Sequence, residues 1–209
     1  WLSAIRVLGA LPLLVPLIHG LYPADSAYAR LAFTRLMQYG NGLAAVPIGL
    51  ILLLGLVRRV TGNDAAVTPA YRALLASLVL FGAGGLLGGL IAGVNTVIPA
   101  HYHGSIVGVT LALMGLTYVL LPKLGFSAPS GRMARMQPVI YAAGQLLHIG
   151  GLAVSGAMGI QRKTAGSAQG LEGVYAKTAM GVMGLGGLLA VIGGILFVVV
   201  VIRAFLRAK

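Results

Sequence analysis

The sequence contains no cysteine and only three acidic residues among its 209 positions. Without thiolates, the chain itself cannot supply disulfides, thiolate-bound zinc or iron–sulfur clusters. Because Asp25, Asp64 and Glu172 are its only acids, calcium cages and paired-carboxylate hydrolase sites are also excluded. Charged residues make up 9% of the chain and hydrophobic residues 58%, whereas soluble domains carry roughly 25% charged residues. The composition therefore predicts an integral membrane protein.

Basic residues greatly outnumber acidic ones, and the formal net charge is +12. In so apolar a chain, basic loops beside anionic lipid explain this charge better than nucleic acid does. We therefore expect a lipid bilayer, and no nucleic acid, among its partners. The chain begins at Trp1 and not at a methionine, so we expect that a segment was removed or that the gene product is longer. No secretory signal is recognisable in it.

Six apolar stretches have the length of about 20 residues that a helix needs to cross a bilayer. We expect these spans at about 2–21, 36–57, 73–94, 98–121, 138–159 and 179–202. No connection between them is long enough for a soluble domain. The predicted fold is an all-α, polytopic membrane helix bundle that forms a single transmembrane domain over residues 1–209.

The basic residues divide unequally when the loops are assigned to alternate sides of the membrane. Ten of the 15 fall on one side: Arg6, Arg58, Arg59, Arg72, Lys123, Arg132, Arg135, Arg203, Arg207 and Lys209. The other five are Arg30, Arg35, Arg162, Lys163 and Lys177. Because basic loops favour the cytoplasm, we expect both termini to be cytoplasmic in a bacterial or archaeal-type inner membrane.

All four histidines fall in the outer half or the middle of the bilayer in this topology. His19 ends the first span, His101 and His103 open the fourth, and His148 lies within the fifth. An ionisable residue inside a span is costly and marks a functional site by default. On a helix, His101 and His103 point about 200° apart, so they could serve two planar cofactors but not share one metal. The alternative is that these histidines are structural and bond neighbouring helices.

Glycine is concentrated in the third and sixth predicted spans. The third contains Gly82, Gly84, Gly85, Gly88, Gly89 and Gly93, and the sixth contains Gly181, Gly184, Gly186, Gly187, Gly193 and Gly194. Small residues let helix backbones approach closely in lipid. A flat macrocycle lying against a helix would require the same absence of side chains. Helix packing is the simpler interpretation of the two.

Residues 85–103 read Gly-Leu-Leu-Gly-Gly-Leu-Ile-Ala-Gly-Val-Asn-Thr-Val-Ile-Pro-Ala-His-Tyr-His. This stretch resembles helices nine and ten of subunit I of the heme–copper oxidases. In that family, a glycine-rich helix leads through a short outer loop into an Ala-His-aromatic-His motif. The resemblance implies that His101 ligates a high-spin heme and that His103 ligates a low-spin heme. The opposed directions of the two rings fit that double role.

A looser similarity covers residues 145–163, which include His148. They resemble the outer end of helix eleven of the same subunit, where two adjacent basic residues bond the heme propionates. The resemblance implies this role for Arg162 and Lys163, and cations beside carboxylates form charge-assisted hydrogen bonds. His148 is a further candidate for cofactor binding.

A third similarity lies upstream, where His19 is followed by Phe33 and Thr34. The spacing resembles that after the adjacent histidine pair that binds copper in the family, although residue 20 here is glycine. His19 is therefore a candidate ligand of copper or of heme iron. The chain as a whole resembles the second half of subunit I, helices seven to twelve.

Two ligand sets of the family are absent: the second low-spin heme ligand on helix two, and the copper-binding His-Pro-Glu-Val-Tyr segment on helix six. The resemblance thus implies a heme-binding respiratory subunit that reduces oxygen or nitric oxide together with a second chain supplying the missing half. Its expected cofactors are one or two hemes of unspecified type, with copper as an additional candidate. Its expected electron donor is an outer-side cytochrome c or copper protein.

Two alternatives remain open at the level of the sequence. One is a bis-histidine cytochrome that carries electrons without reducing oxygen, with His101 or His103 paired to His148 or His19. The other is a heme-free scaffold or transporter in which the histidines are structural or relay protons. If the chain belongs to an enzyme, we expect an oxidoreductase.

Overall fold

The computed structural model describes residues 9–40, 42–61 and 68–207, together with residues 3 and 6. Within this part of the chain, the regular structure is helical, apart from an isolated bridge between Asn95 and Gln161. The contacts divide the chain into two compact units, Trp1–Asp64 and Ala65–Lys209. The all-α class is confirmed, while the single transmembrane domain stays a prediction.

The first unit contains three α-helices among its described residues. They are α1 (Val15–Leu21), α2 (Ala27–Arg35) and α3 (Gly42–Thr61), with a 3₁₀ turn at Leu11–Leu14 and a π-helical turn at Leu36–Gly40. The Ser26 hydroxyl caps α2 by accepting a hydrogen bond from the Ala29 N–H at 3.0 Å. The stretch Ala27–Arg58 is long and apolar enough to cross a membrane. The predicted span at 2–21 lies partly outside the described residues.

The second unit consists of four long helices and a short 3₁₀ turn at Gly166–Gln169. The helices are α4 (Pro69–Gly89), α5 (Val97–Lys123), α6 (Gly131–Ala157) and α7 (Val174–Leu206). Each is long and apolar enough to span a bilayer, so the described residues contain five candidate spans. The chain is therefore a helical membrane protein of the multi-pass type.

The ends of α4 differ from the predicted span at 73–94 for local reasons. The helix begins at Pro69 because the Thr68 hydroxyl accepts a hydrogen bond from the Tyr71 N–H at 3.2 Å, and because proline suits the first helical position. It ends at Gly89, and Gly93 then adopts a φ of 81°, which favours glycine. The last five residues of the predicted span therefore belong to the loop that leads into α5.

The second unit is assembled from two closely packed helix pairs. α4 packs against α5, α6 packs against α7, and α6 also contacts α4 and α5. Glycines permit these approaches: Gly84 lies against Gly104, and Gly144 lies against Gly186. Large apolar side chains such as Leu86, which is 77% exposed, cover the outside of the helices. Such an apolar exterior suits a lipid environment.

Most of the glycines noted in the sequence fall into two structural groups. Gly84, Gly186 and Gly193 lie against the backbone of a neighbouring helix, which supports the packing interpretation for them. Open space surrounds the positions where a side chain would start at Gly82, Gly85, Gly89, Gly181 and Gly184. One stripe of α4 and part of α7 are therefore bare of side chains.

Candidate functional site

His101 lies in the second turn of α5 and its ring points toward α4. Its Nδ1 is 2.7 Å from the carbonyl oxygen of Gly84. Gly88 makes room for the ring, because a Cβ at this position would lie 2.8 Å from both Nδ1 and Cε1 of His101. A neutral imidazole that bonds a carbonyl through Nδ1 carries its proton there, so its lone pair is on Nε2.

His103 lies on the opposite side of α5 and its ring points toward α6. Its Nδ1 is 2.8 Å from the carbonyl oxygen of Pro99, one turn earlier in the same helix. The ring stacks on Tyr102 at a centroid distance of 4.8 Å and meets the ring of His148 at 5.2 Å. The two histidines of the motif thus face different neighbouring helices, as their spacing predicts.

His148 joins α6 to α7 on the far side of His103. Its Nδ1 is 3.0 Å from the carbonyl oxygen of Met183 in α7. Gly187 lies beside the ring, since a Cβ there would be 3.4 Å from Nδ1. The rings of His148 and His103 are tilted by 57° and are in direct contact. A porphyrin could enter between them only if α5 and α6 moved apart.

These three histidines share one bonding pattern. Each bonds a backbone carbonyl through Nδ1, and within residues 68–207 no protein group is hydrogen-bonded to their Nε2 atoms. Metal-ligating histidines commonly show this arrangement, because the second hydrogen bond fixes the ring and its tautomer. Each ring therefore presents a free and oriented Nε2 lone pair, and all three are half-buried.

The described residues bring no three His, Cys, Asp or Glu side chains together in a group that could hold a metal ion. A bare ion such as zinc takes three or four protein ligands. Heme iron is already held by the macrocycle and takes only one or two axial ligands from the protein. Single oriented imidazoles on different helix faces therefore fit axial ligation of heme better than a caged ion.

The loop after α6 is fastened to the start of α5, where the histidine motif lies. The Thr96 N–H donates to the Ile160 carbonyl at 3.0 Å, and the Thr96 hydroxyl donates to the Leu152 carbonyl at 2.8 Å. Asn95 also forms the isolated bridge with Gln161. These contacts bring the residue next to Gln161 close to the loop that precedes His101 and His103.

Arg162, which follows Gln161, is one of the two basic residues expected to bind propionates. Its Nε is buried and has no hydrogen-bond partner among the described residues. A buried guanidinium N–H without a partner is costly, and a carboxylate is a strong partner for it. Lys163 is exposed and has a φ of 61°, which is unusual for a residue other than glycine.

His19 lies in α1 of the first unit. It is exposed, and its ring contacts Phe33 of α2 at a centroid distance of 5.0 Å. These two residues are therefore in contact within this unit. Its role as a copper or heme ligand stays a prediction.

A polar cluster deeper in the second unit was not anticipated from the sequence. The Tyr118 hydroxyl donates to Gln137 Oε1 at 2.9 Å, and Gln137 Nε2 donates to the Gly193 carbonyl at 3.1 Å. Gln137, Tyr141, Gln145 and His148 recur every three or four residues on one face of α6. That periodicity is the signal that could have located the cluster, which joins α5, α6 and α7.

Comparison with known proteins yields relatives without an assigned activity. No family model matches the chain, and no solved structure matches it. It is 40% identical over 136 residues to an uncharacterized protein of Rickettsia prowazekii, covering 60% of this chain and 26% of that protein. It is 35% identical over 100 residues to an uncharacterized protein of Aquifex aeolicus, covering 47% of this chain and 24% of that protein. The chain thus spans about a quarter of the length of the curated relatives that it matches.

Proposed function

We propose that this chain is a heme-binding subunit of a respiratory electron-transfer complex in the bacterial or archaeal inner membrane. The observation that carries the proposal is the shared state of His101 and His103. Each is fixed through Nδ1 and presents an unbonded Nε2, on two different sides of α5. A bound heme would supply one-electron transfer at this site.

In this proposal, His101 and His103 each hold one iron. The His101 ring is oriented by the Gly84 carbonyl, and the His103 ring by the Pro99 carbonyl. Both carbonyls accept a hydrogen bond from Nδ1–H, and this bond raises the basicity of Nε2. Since the rings lie on opposite sides of one helix, the two residues would hold two different hemes.

Arg162 supplies the anion-binding part of the same proposal. Its partnerless, buried Nε would bond a heme propionate, and the fastening of Thr96 to Ile160 keeps this loop beside the start of α5. Lys163 adds a second positive charge next to it. A charge-assisted pair with Arg162 would fix the orientation of the macrocycle edge.

The remaining ligands come from outside the chain in this proposal. A companion membrane subunit, or a missing half of the same protein, would complete the low-spin site and contribute the chemistry of oxygen or nitric oxide reduction. Six spans with cytoplasmic termini would place the histidines near the outer face. An outer-side cytochrome c or copper protein would then deliver electrons, and a copper ion at His19 is an additional candidate.

A bis-histidine cytochrome without oxygen chemistry is the second candidate function. The contact between the rings of His103 and His148 favours it, because it places two imidazoles with unbonded Nε2 atoms side by side. In that case the iron would be six-coordinate and closed to small ligands.

Difference spectra of the solubilised complex test the proposal. We expect a reduced-minus-oxidised spectrum with heme bands, and a further change on addition of carbon monoxide, because a high-spin heme keeps one position open. Heme bands that are insensitive to carbon monoxide would favour the bis-histidine cytochrome. A spectrum without heme bands would leave only the heme-free scaffold or transporter.

A further inference from the structure

A cavity of about 440 Å³ lies at the opposite end of the second unit from the histidines. The start of α6, the end of α7 and the loop between α5 and α6 form its walls. Its polar and positively charged lining comprises Ser127, Ser130, Arg132, Arg203 and Arg207. The described histidine site contributes nothing to this cavity.

The lining of the cavity is positively charged and, among the residues that the structure describes, contains no acid to balance it. Three arginines line it, and no acidic residue does. The side-chain contact of Arg203 in this region is with the Met133 sulfur at 4.0 Å, which is too weak to neutralise a guanidinium. Arginine pairs well with phosphate oxygens because its planar group presents two parallel N–H donors. The cavity therefore favours a phosphate-bearing anion.

The backbone adds donors to this positive region. Ser130 precedes α6, but its side chain does not cap the helix, so the first N–H groups of this 27-residue helix lack that partner. Unsatisfied N–H groups at a helix start carry partial positive charge and bind anions. The first residues of α6, Gly131 and Arg132, line the cavity, so these N–H groups lie near the arginines.

The wall opposite α6 is held in place by hydrogen bonds. The Ser127 hydroxyl donates to the Arg207 carbonyl at 2.8 Å, and the Ser127 N–H donates to the Ala204 carbonyl at 3.2 Å. The rings of Phe126 and Phe205 pack edge to face at 4.5 Å beside them. These contacts join segments that are about 80 residues apart, so the cavity belongs to the packed structure of the unit.

The cavity wall also includes buried apolar side chains, and exposed ones lie on the same elements outside it. Val200 and Ala204 form part of its lining. Outside it, Leu124 is 68% exposed and Leu206 is 79% exposed. A ligand with an anionic headgroup and hydrocarbon chains would contact both the charged lining and the apolar side chains. A free anion would contact only the charged lining.

We infer that this cavity is a binding site for the phosphate headgroup of an anionic phospholipid, with the acyl chains lying along α7. Basic pockets between transmembrane helices on the cytoplasmic side commonly bind such headgroups. Three arginines suit a lipid with two phosphates better than one with a single phosphate. This inference does not depend on heme binding.

The test measures lipid retention and thermal stability of the complex in detergent. Native mass spectrometry and melting curves are recorded with cardiolipin, with phosphatidylethanolamine and with inorganic phosphate. We expect cardiolipin to be retained and to raise Tm, while the other two have little effect. The variant Arg132→Gln/Arg203→Gln should bind cardiolipin about thirtyfold more weakly, since each basic residue near an anionic lipid contributes about fivefold.

The matched control is Lys123→Gln/Arg135→Gln, which removes the same charge from exposed residues near the same end but outside the cavity. We expect cardiolipin binding to change less than threefold in this control. Equal losses in the two variants would overturn the site in favour of general surface charge. Stabilisation by inorganic phosphate equal to that by cardiolipin would overturn the lipid as ligand.

Discussion

At the residue scale, the informative feature is the state of each imidazole. In His101, His103 and His148, Nδ1 bonds a backbone carbonyl and Nε2 bonds no described protein group. Backbone carbonyls are reliable anchors, because they do not titrate and they move with the helix. The arrangement fixes each ring before any ligand arrives.

Single substitutions should separate the roles of the two motif histidines. We expect His103→Ala to abolish a low-spin α-band and leave the carbon monoxide response, and His101→Ala to do the reverse. His148→Phe should keep both signals, because its ring contacts His103 without being an axial ligand in this account. Difference spectra of the purified variants provide the measurement. An unchanged spectrum in His103→Ala would refute the assignment.

The space that Gly88 leaves beside His101 should be as important for heme binding as the His101 ring itself. In Gly88→Ala, the new Cβ would lie 2.8 Å from the His101 ring and displace it from the Gly84 carbonyl. We expect heme affinity at this position to fall by roughly 10- to 100-fold, as is typical when the orienting partner of a ligand is lost. Titration of heme into heme-depleted complex gives the affinity.

Gly85→Ala is the control for this substitution. Gly85 is on the same helix, is exposed and has open space where the Cβ would lie. We expect wild-type heme affinity in this variant. If Gly88→Ala also keeps wild-type affinity, His101 does not depend on its contact with α4.

At the scale of helices, packing is decided by glycines on facing surfaces. In α6, Gly144 and Gly151 lie directly against the backbone of α7, and Gly186 of α7 lies against α6. In lipid there is no water to drive helices together, so close van der Waals contact has a larger share of the association energy. The position of the His148 ring depends on this contact, because its Nδ1 bonds the Met183 carbonyl across the same interface.

Two adjacent glycines of α6 make this idea testable. A Cβ at Gly151 would lie 2.5 Å from the Ala179 carbonyl oxygen, whereas a Cβ at Gly150 would meet no atom within 4 Å. We expect Gly151→Ala to destabilise the unit by about 1–3 kcal/mol through overpacking. Gly150→Ala should be neutral, or stabilising by about 0.5–1 kcal/mol. Reversible unfolding in mixed micelles measures both, and equal effects would contradict the packing described here.

At the scale of the whole molecule, access of an outer-side electron donor depends on the side of the membrane that the histidines occupy. Lys123, Arg132, Arg135, Arg203 and Arg207 cluster at the ends of α5 and α7 and the start of α6. The opposite end of the second unit carries Arg162 and Lys163 in a loop and Lys177 at the start of α7. The difference favours a cytoplasmic position for the first group, and therefore an outer position for the histidine motif.

The absence of cysteine allows a direct test of this topology. Ala128→Cys and Ser167→Cys place single thiols in exposed loops at opposite ends of the second unit. We expect a membrane-impermeant maleimide to label residue 167, but not residue 128, in intact cells that lack an outer membrane. After permeabilisation, both should react. Labelling of residue 128 alone in intact cells would show that the orientation is the reverse of the expected one.

Much of the fold follows from sequence, but the site follows only in outline. Apolar length located the helices of the second unit, and the two-residue spacing predicted the opposite directions of His101 and His103. The contact of His103 with His148 was only one of several pairs left open, because it depends on how α5 and α6 pack. The buried bond between Tyr118 and Gln137 was missed for the same reason. Interhelical distances depend on glycine contacts whose partners a single sequence does not identify.

Heme content is the most direct measure of the central claim that free Nε2 atoms on opposite sides of α5 hold iron. A pyridine hemochrome assay on freshly solubilised complex gives this content independently of the native spectrum. We predict one or two hemes per copy of this chain. We also predict a lower heme content when His101 and His103 are both replaced by alanine. Colourless complex with no extractable porphyrin would contradict the account.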